Sequence, residues 1–253
     1  MTPIKTLSTV ALAMALSLAV ACKRTPPAAT SSTDVGAPGG RVQVWPGITE
    51  ETTPSDLTKA WSAPWLNGDF DLKDDRVSPH RAREIASCAQ LVGITENDVV
   101  LGPGWEHYNF REKSIRCRVM ARVMTARPAS VGYARDLVAS DDPGDLLPAA
   151  VAPAAGTSGA AARSWRAADP SLKFDRSGAR AGYHELIVGG AYRGRLTWWA
   201  AGDVDGDGIE DVVMFSNLAP TRDGASDAPN IMRAFVLTRK QPGGPVTIVQ
   251  RFE

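Results

Sequence analysis

Neither sign of charge predominates in this chain of 253 residues, in which Lys plus Arg and Asp plus Glu number 28 each. That balance removes nucleic acid and anionic lipid as bulk electrostatic partners. Histidines number only three, and His80, His107 and His184 stand at no metal-ligand spacing. His184-Glu185-Leu186-Ile187-Val188 begins like the zinc-protease pattern H-E-x-x-H but ends in Val. There is no G-x-S-x-G elbow, no Walker loop, no G-x-G-x-x-G and no C-x-x-C, which argues in turn against serine hydrolase, nucleotide and dithiol redox chemistry. No segment repeats at a fixed period, as a solenoid or propeller would require. What the chain does have is a hydrophobic fraction of 43%, enough to build an ordinary core in one large or two small domains. Two stretches of distinct chemistry lie near its ends.

The first is residues 1–22. Lys5 precedes an apolar run from Val10 to Val20 that is interrupted only by Ser17 and followed by Ala21 and Cys22, the layout of an export signal. The run is too short for a good membrane-spanning helix. Leu18-Ala19-Val20-Ala21-Cys22 resembles the lipobox of bacterial lipoproteins, which implies cleavage before Cys22, acylation of that cysteine and anchoring of the mature chain in a membrane through its N-terminal lipid. Ala19-Val20-Ala21 also suits ordinary signal cleavage, which would leave a soluble secreted or periplasmic protein. Removing residues 1–21 takes away Lys5 and no acidic residue, so 28 basic residues become 27 against 28 acidic ones. Attachment would therefore rest on the lipid. In Gram-negative lipoproteins, Lys23 after the cysteine resembles the outer-membrane sorting signal.

Of three cysteines, acylation of Cys22 leaves Cys88 and Cys117 as a pair, which an oxidising envelope compartment would join in a disulfide. Two buried free thiols are the alternative. Residues 22–40 are rich in Pro, Ala, Ser, Thr and Gly without apolar periodicity and read as a flexible tether spanning roughly 20–25 Å.

A first folded part is expected over 41–140. Ser78 to Gly93 predicts a helix, with Ser78 as cap, Pro79 in the first turn, Gly93 at the C-terminal end and Ala82, Ile85, Ala86, Ala89 and Val92 on one face. Ile115, Cys117, Val119, Ala121 and Val123 alternate with Arg116, Arg118, Met120, Arg122 and Met124, the period of a half-exposed strand. Residues 141–162, rich in Pro, Ala and Gly, predict a flexible loop or linker. The C-terminal part, 163–253, holds β-type runs at Tyr183–Val188, Arg195–Ala200, Asp211–Ser216, Ile231–Thr238 and Val246–Phe252. Together these predict an α+β fold, an antiparallel meander with at least one packed helix.

The second stretch is Gly202-Asp203-Val204-Asp205-Gly206-Asp207-Gly208-Ile209-Glu210-Asp211. Four aspartates in nine residues repel one another unless a cation sits among them, and hard oxygen ligands at such spacing suit calcium. An EF-hand or dockerin loop needs an acidic twelfth ligand, and position 12 counted from Asp203 is Met214. The segment instead resembles the nine-residue calcium loop of FG-GAP and VCBS-type proteins. That resemblance implies Asp203, Asp205, Asp207 and Asp211 as side-chain ligands, the Ile209 carbonyl as a fifth, and a structural Ca2+ in a β-hairpin. The other reading is a polar acidic turn whose glycines and aspartates serve only the backbone.

No catalytic residue is assigned. Asp69 and Asp71 make a carboxylate pair that a cell-envelope hydrolase would use. Seven tryptophans, including Trp45, Trp61, Trp65, Trp198 and Trp199, would stack sugars or peptidoglycan if exposed. The favoured expectation is a lipid-anchored cell-envelope protein that binds a protein or glycan partner or takes part in assembly, holds one structural calcium ion and does not bind nucleic acid.

Overall fold

The computed structural model describes residues 42–45, 54–65, 70–72, 84–102, 104–153, 163–175, 183–188, 192–220 and 230–253. Cys22 and the expected signal and tether lie outside them. In chain order the elements are β1 (Gln43–Val44), α1 (Pro54–Ser62), β2 (Phe70–Leu72), β3 (Glu84–Ile85), α2 (Cys88–Leu91), β4 (Val99–Val100), α3 (Trp105–Met124), α4 (Arg135–Ala139) and α5 (Trp165–Ala168). They continue with β5 (Lys173–Asp175), β6 (Tyr183–Val188), β7 (Tyr192–Gly202), β8 (Asp211–Pro220), β9 (Ile231–Arg239) and β10 (Val246–Phe252). Strands β5 to β10 pair in sequence order, each antiparallel to the next, and β1 joins the same edge of β7 beyond the first residue of β6. The chain is α+β, with its five expected C-terminal runs all present as strands. A small antiparallel sheet, β3-β2-β4, stands apart from the main one.

The composition of the central strands follows from what covers them. Alternate residues of a strand face opposite ways, and here both directions are dry. Trp199, Val213, Phe215, Ala234, Val236 and Phe252 pack on one side with Leu57 of α1, Cys88 and Leu91 of α2 and the buried positions of α3. Trp198, Val212, Met214, Phe235 and Leu237 pack on the other with Leu137 of α4, Trp165 of α5, Leu147 and Val151. A sheet covered on both faces needs continuous apolar runs such as Val212-Val213-Met214-Phe215, where a one-sided sheet would alternate. A bulge between Trp198 and Ala200 shifts the register of β7 against β8, so Trp199 and Ala200 both belong to the side covered by α1, α2 and α3.

Two local expectations are overturned. The strand expected at Ile115–Val123 is part of the 20-residue helix α3. Met120, assigned to the outer face of a strand, is 2% exposed, whereas Ile115, Val119 and Val123 recur every four residues along one helical stripe. The helix expected over 78–93 is reduced to α2, with Ile85 in β3 opposite Phe70 and Val92 in solvent; residues 78–83 lie outside the described set. Its predicted face was mostly alanine, which has little area to bury, and the one large residue, Ile85, is buried in the small sheet instead. Gly93 does end the segment, with φ at +81°, where glycine carries no Cβ penalty.

Cys88 and Cys117 form a disulfide. It joins helix α2 to helix α3, not helix to strand. Within the expected linker, residues 141–153 form short 3-10 turns at Pro143–Asp145 and Ala149–Val151 and bury Leu147, Ala149 and Val151. Residues 154–162 lie outside the described set.

Candidate metal centre

The acidic loop spans the turn from β7 to β8. Gly206 and Gly208 have φ at +90° and +86°, left-handed values that glycine adopts without strain. The loop then winds around its own carboxylates. Asp203 Oδ1 accepts the Gly206 N–H at 2.7 Å, Asp205 Oδ1 the Asp207 N–H at 3.1 Å, and Asp207 Oδ1 the Ile209 N–H at 2.8 Å. Asp211 Oδ2 accepts from the Val204 and Asp205 N–H groups at 2.9 and 3.1 Å.

A segment distant in sequence holds the loop from outside. Arg127 and Asp203 exchange two backbone hydrogen bonds of 2.9 Å, the Ser130 N–H and hydroxyl both donate to the Gly208 carbonyl, and the Glu210 N–H donates to Val131 O at 2.7 Å. The main chain of Ile209 is bridged to Val131. The Glu210 side chain points away from its aspartate neighbours and takes a two-pronged pair from Arg135, with nitrogen–oxygen distances of 2.7 to 3.1 Å. That pairing raises the Arg135 pKa. None of these supports was foreseen, since segment 127–135 carries no periodicity or motif.

The carboxylates of Asp203, Asp205 and Asp211 converge, each offering an oxygen within 4.8 Å of the others. Asp207 is not among them; its second oxygen is paired with the Lys240 ammonium. Asp203 is 4% exposed and Asp211 fully buried. Asp211 Oδ1 has no hydrogen bond of good geometry; the Thr238 hydroxyl, opposite it across β8 and β9, favours its charged form and leaves this buried oxygen only partly compensated. Burial pushes the Asp211 carboxyl up to about 6, and the Asp205 charge adds to the rise, against the pull of the Thr238 hydroxyl and the Val204 and Asp205 N–H groups. On one side the cluster opens to a cleft of about 260 Å3 edged by Arg122, Thr125 and Arg127. Buried, mutually repelling oxygens of this kind are chemically suited to a hard divalent cation.

A pH dependence follows for the protein in chelator. Asp211 in the folded state binds its proton more tightly than in the unfolded chain, so folding takes up a proton between the two pKa values. Stability should therefore fall as pH rises from about 4 to about 6, and Asp211→Asn should remove that component. Urea unfolding across this range checks it; a wild-type slope identical to the variant's would contradict the buried carboxylate.

The other sequence candidates do not assemble. Asp71 lies exposed on β2 and Asp69 is outside the described residues. Glu106 accepts from the Gly102 N–H while its neighbour His107 pairs with Glu96, so the two diverge. Trp198 and Trp199 are both buried, Trp45, Trp61 and Trp65 are partly buried, and Trp105 is exposed; the tryptophan pair in β7 offers no stacking platform. Comparison with the known protein families, with curated proteins and with solved structures gives no match for this chain.

Proposed function

We propose that this is a lipid-anchored protein of the cell envelope, attached through Cys22, whose tethered α+β body holds one structural calcium ion and serves in binding or assembly. The calcium reading rests above all on the meeting of the Asp203, Asp205 and buried Asp211 carboxylates. Oxygen-only donors and a loop clamped by its own backbone favour calcium over softer metals. The anchor rests on the sequence Leu18 to Cys22 and on the pairing of the other two cysteines with each other.

Thermal unfolding in calcium, in magnesium and in chelator tests the ion. A ligand that binds only the folded state stabilises it by about 2.7 kcal/mol at a hundredfold excess over Kd. Calcium should raise the melting temperature reversibly and more than magnesium does, and Asp205→Ala should nearly abolish the rise. Equal shifts in wild type and variant would remove the site. The anchor is tested separately by cell fractionation. Cys22→Ser should move the protein out of the membrane fraction, and a variant that stays membrane-bound would contradict acylation at that residue.

A further inference from the structure

Lys240 stands where an ion in the loop would feel it most. Antiparallel pairing sets Thr238 of β9 opposite Asp211 of β8, so Lys240, two residues further along, emerges beside the loop by backbone register as well as by side-chain placement. Its ammonium pairs with Asp207 Oδ2 and lies 3.9 Å from Asp205 Oδ2. The remaining acidic group, Glu210, is already matched by Arg135. Among the described residues, Asp205 and Asp207 have their ion pairs with Lys240 and no other cation, and Asp203 and Asp211 have none. Arg122 and Arg127 edge the cleft without reaching them.

Resting on the calcium reading above, we propose that Lys240 is a built-in competitor for the metal: it neutralises Asp205 and Asp207 in the ion-free loop and is displaced when a divalent cation binds. The ion-free loop is then tolerable, because part of the aspartate repulsion is screened by a tethered positive charge. Cation binding must break that pairing, and it frees Asp207 Oδ2 to turn toward the ion. Affinity in calcium loops follows the net ligand charge, so a resident lysine places the site at the weak end, the range suited to calcium outside the cytoplasm. The lysine is half-exposed and swings into solvent without disturbing the core.

The test is calorimetric titration of calcium chloride into the full chain in detergent, for wild type, Lys240→Gln, Lys240→Met and Lys240→Arg. Both neutral variants should bind roughly tenfold more tightly than wild type, with the gap narrowing as sodium chloride is raised, and Lys240→Arg should stay near wild type. In chelator the neutral variants should melt lower than wild type, the opposite of their behaviour in calcium. Equal affinities in wild type and neutral variants would overturn the competitor role while leaving the calcium site standing. Weaker binding by the neutral variants would make Lys240 a structural support of the loop and overturn it as well. Binding by none of the four proteins would remove the calcium reading, and the proposal with it.

Discussion

Trp199→Ala and Trp198→Ala should each destabilise the protein by about 3–5 kcal/mol, the range for removing a large aromatic side chain from a packed core. Adjacent in sequence, the two rings are 1% and 0% exposed on opposite sides of β7. Trp199 stacks on Phe215 with centroids 4.3 Å apart, so its loss loosens the seat of the helical layer. Trp198 packs against the layer formed by α4, α5 and the turns at Pro143 and Ala149. In a chain of this size the melting temperature should drop by on the order of 10 °C in either variant. The two differ under conservative replacement: the Trp198 indole N–H has no acceptor, so Trp198→Phe should cost far less than Trp198→Ala. Urea unfolding of the three variants measures this. A Trp198→Ala loss below about 1 kcal/mol would mean that the second face is not a packed core.

Removing the disulfide has the next largest expected effect. Cys88 and Cys117 are 29 residues apart, and a crosslink of that span contributes roughly 3–4 kcal/mol on the chain-entropy account. The double variant Cys88→Ala, Cys117→Ala should lose about this much. The local consequence should be sharper than the global one. Helix α2 has four residues, and the Ser87 side chain makes no capping bond, so it is far below the length at which a helix holds itself. Hydrogen exchange should therefore rise first at Leu91 and its neighbours, with α3 still protected. Uniform exchange changes across both helices would show that the crosslink is not what seats α2.

The five expected strands were legible because each is a run rich in apolar residues with glycine or proline nearby, so local signal and tertiary burial agree; β5, only Lys173-Phe174-Asp175, is too short and too charged to carry that signal. Helix α3 was not, because the nine residues from Ile115 to Val123 fit a two-residue period as well as a four-residue one. Only the fate of Met120 and Arg116, set by what lies across from them, separates the two. The acidic loop could be found from its aspartates and glycines alone. The backbone clamp from Arg127, Ser130 and Val131 could not, since main-chain hydrogen bonds leave no trace in side-chain identity. Nor could the pairing of Asp207 with a lysine 33 residues away, brought close only by strand register.

The placement of β1 determines how the body answers tension. Gln43 and Val44 pair with Ala201 and Ala200 at the far end of β7, the Trp45 N–H donates to Trp199 O, and Val42 rests over Gly202 where the acidic loop begins. A pull transmitted along the proposed tether thus enters beside the loop and is borne first by a two-residue strand. Drawn away from β7, those few hydrogen bonds break one after another, as in a zipper; drawn along it, they resist together. Either way β1, with two paired residues, should yield before the meander, whose strands share far longer ladders.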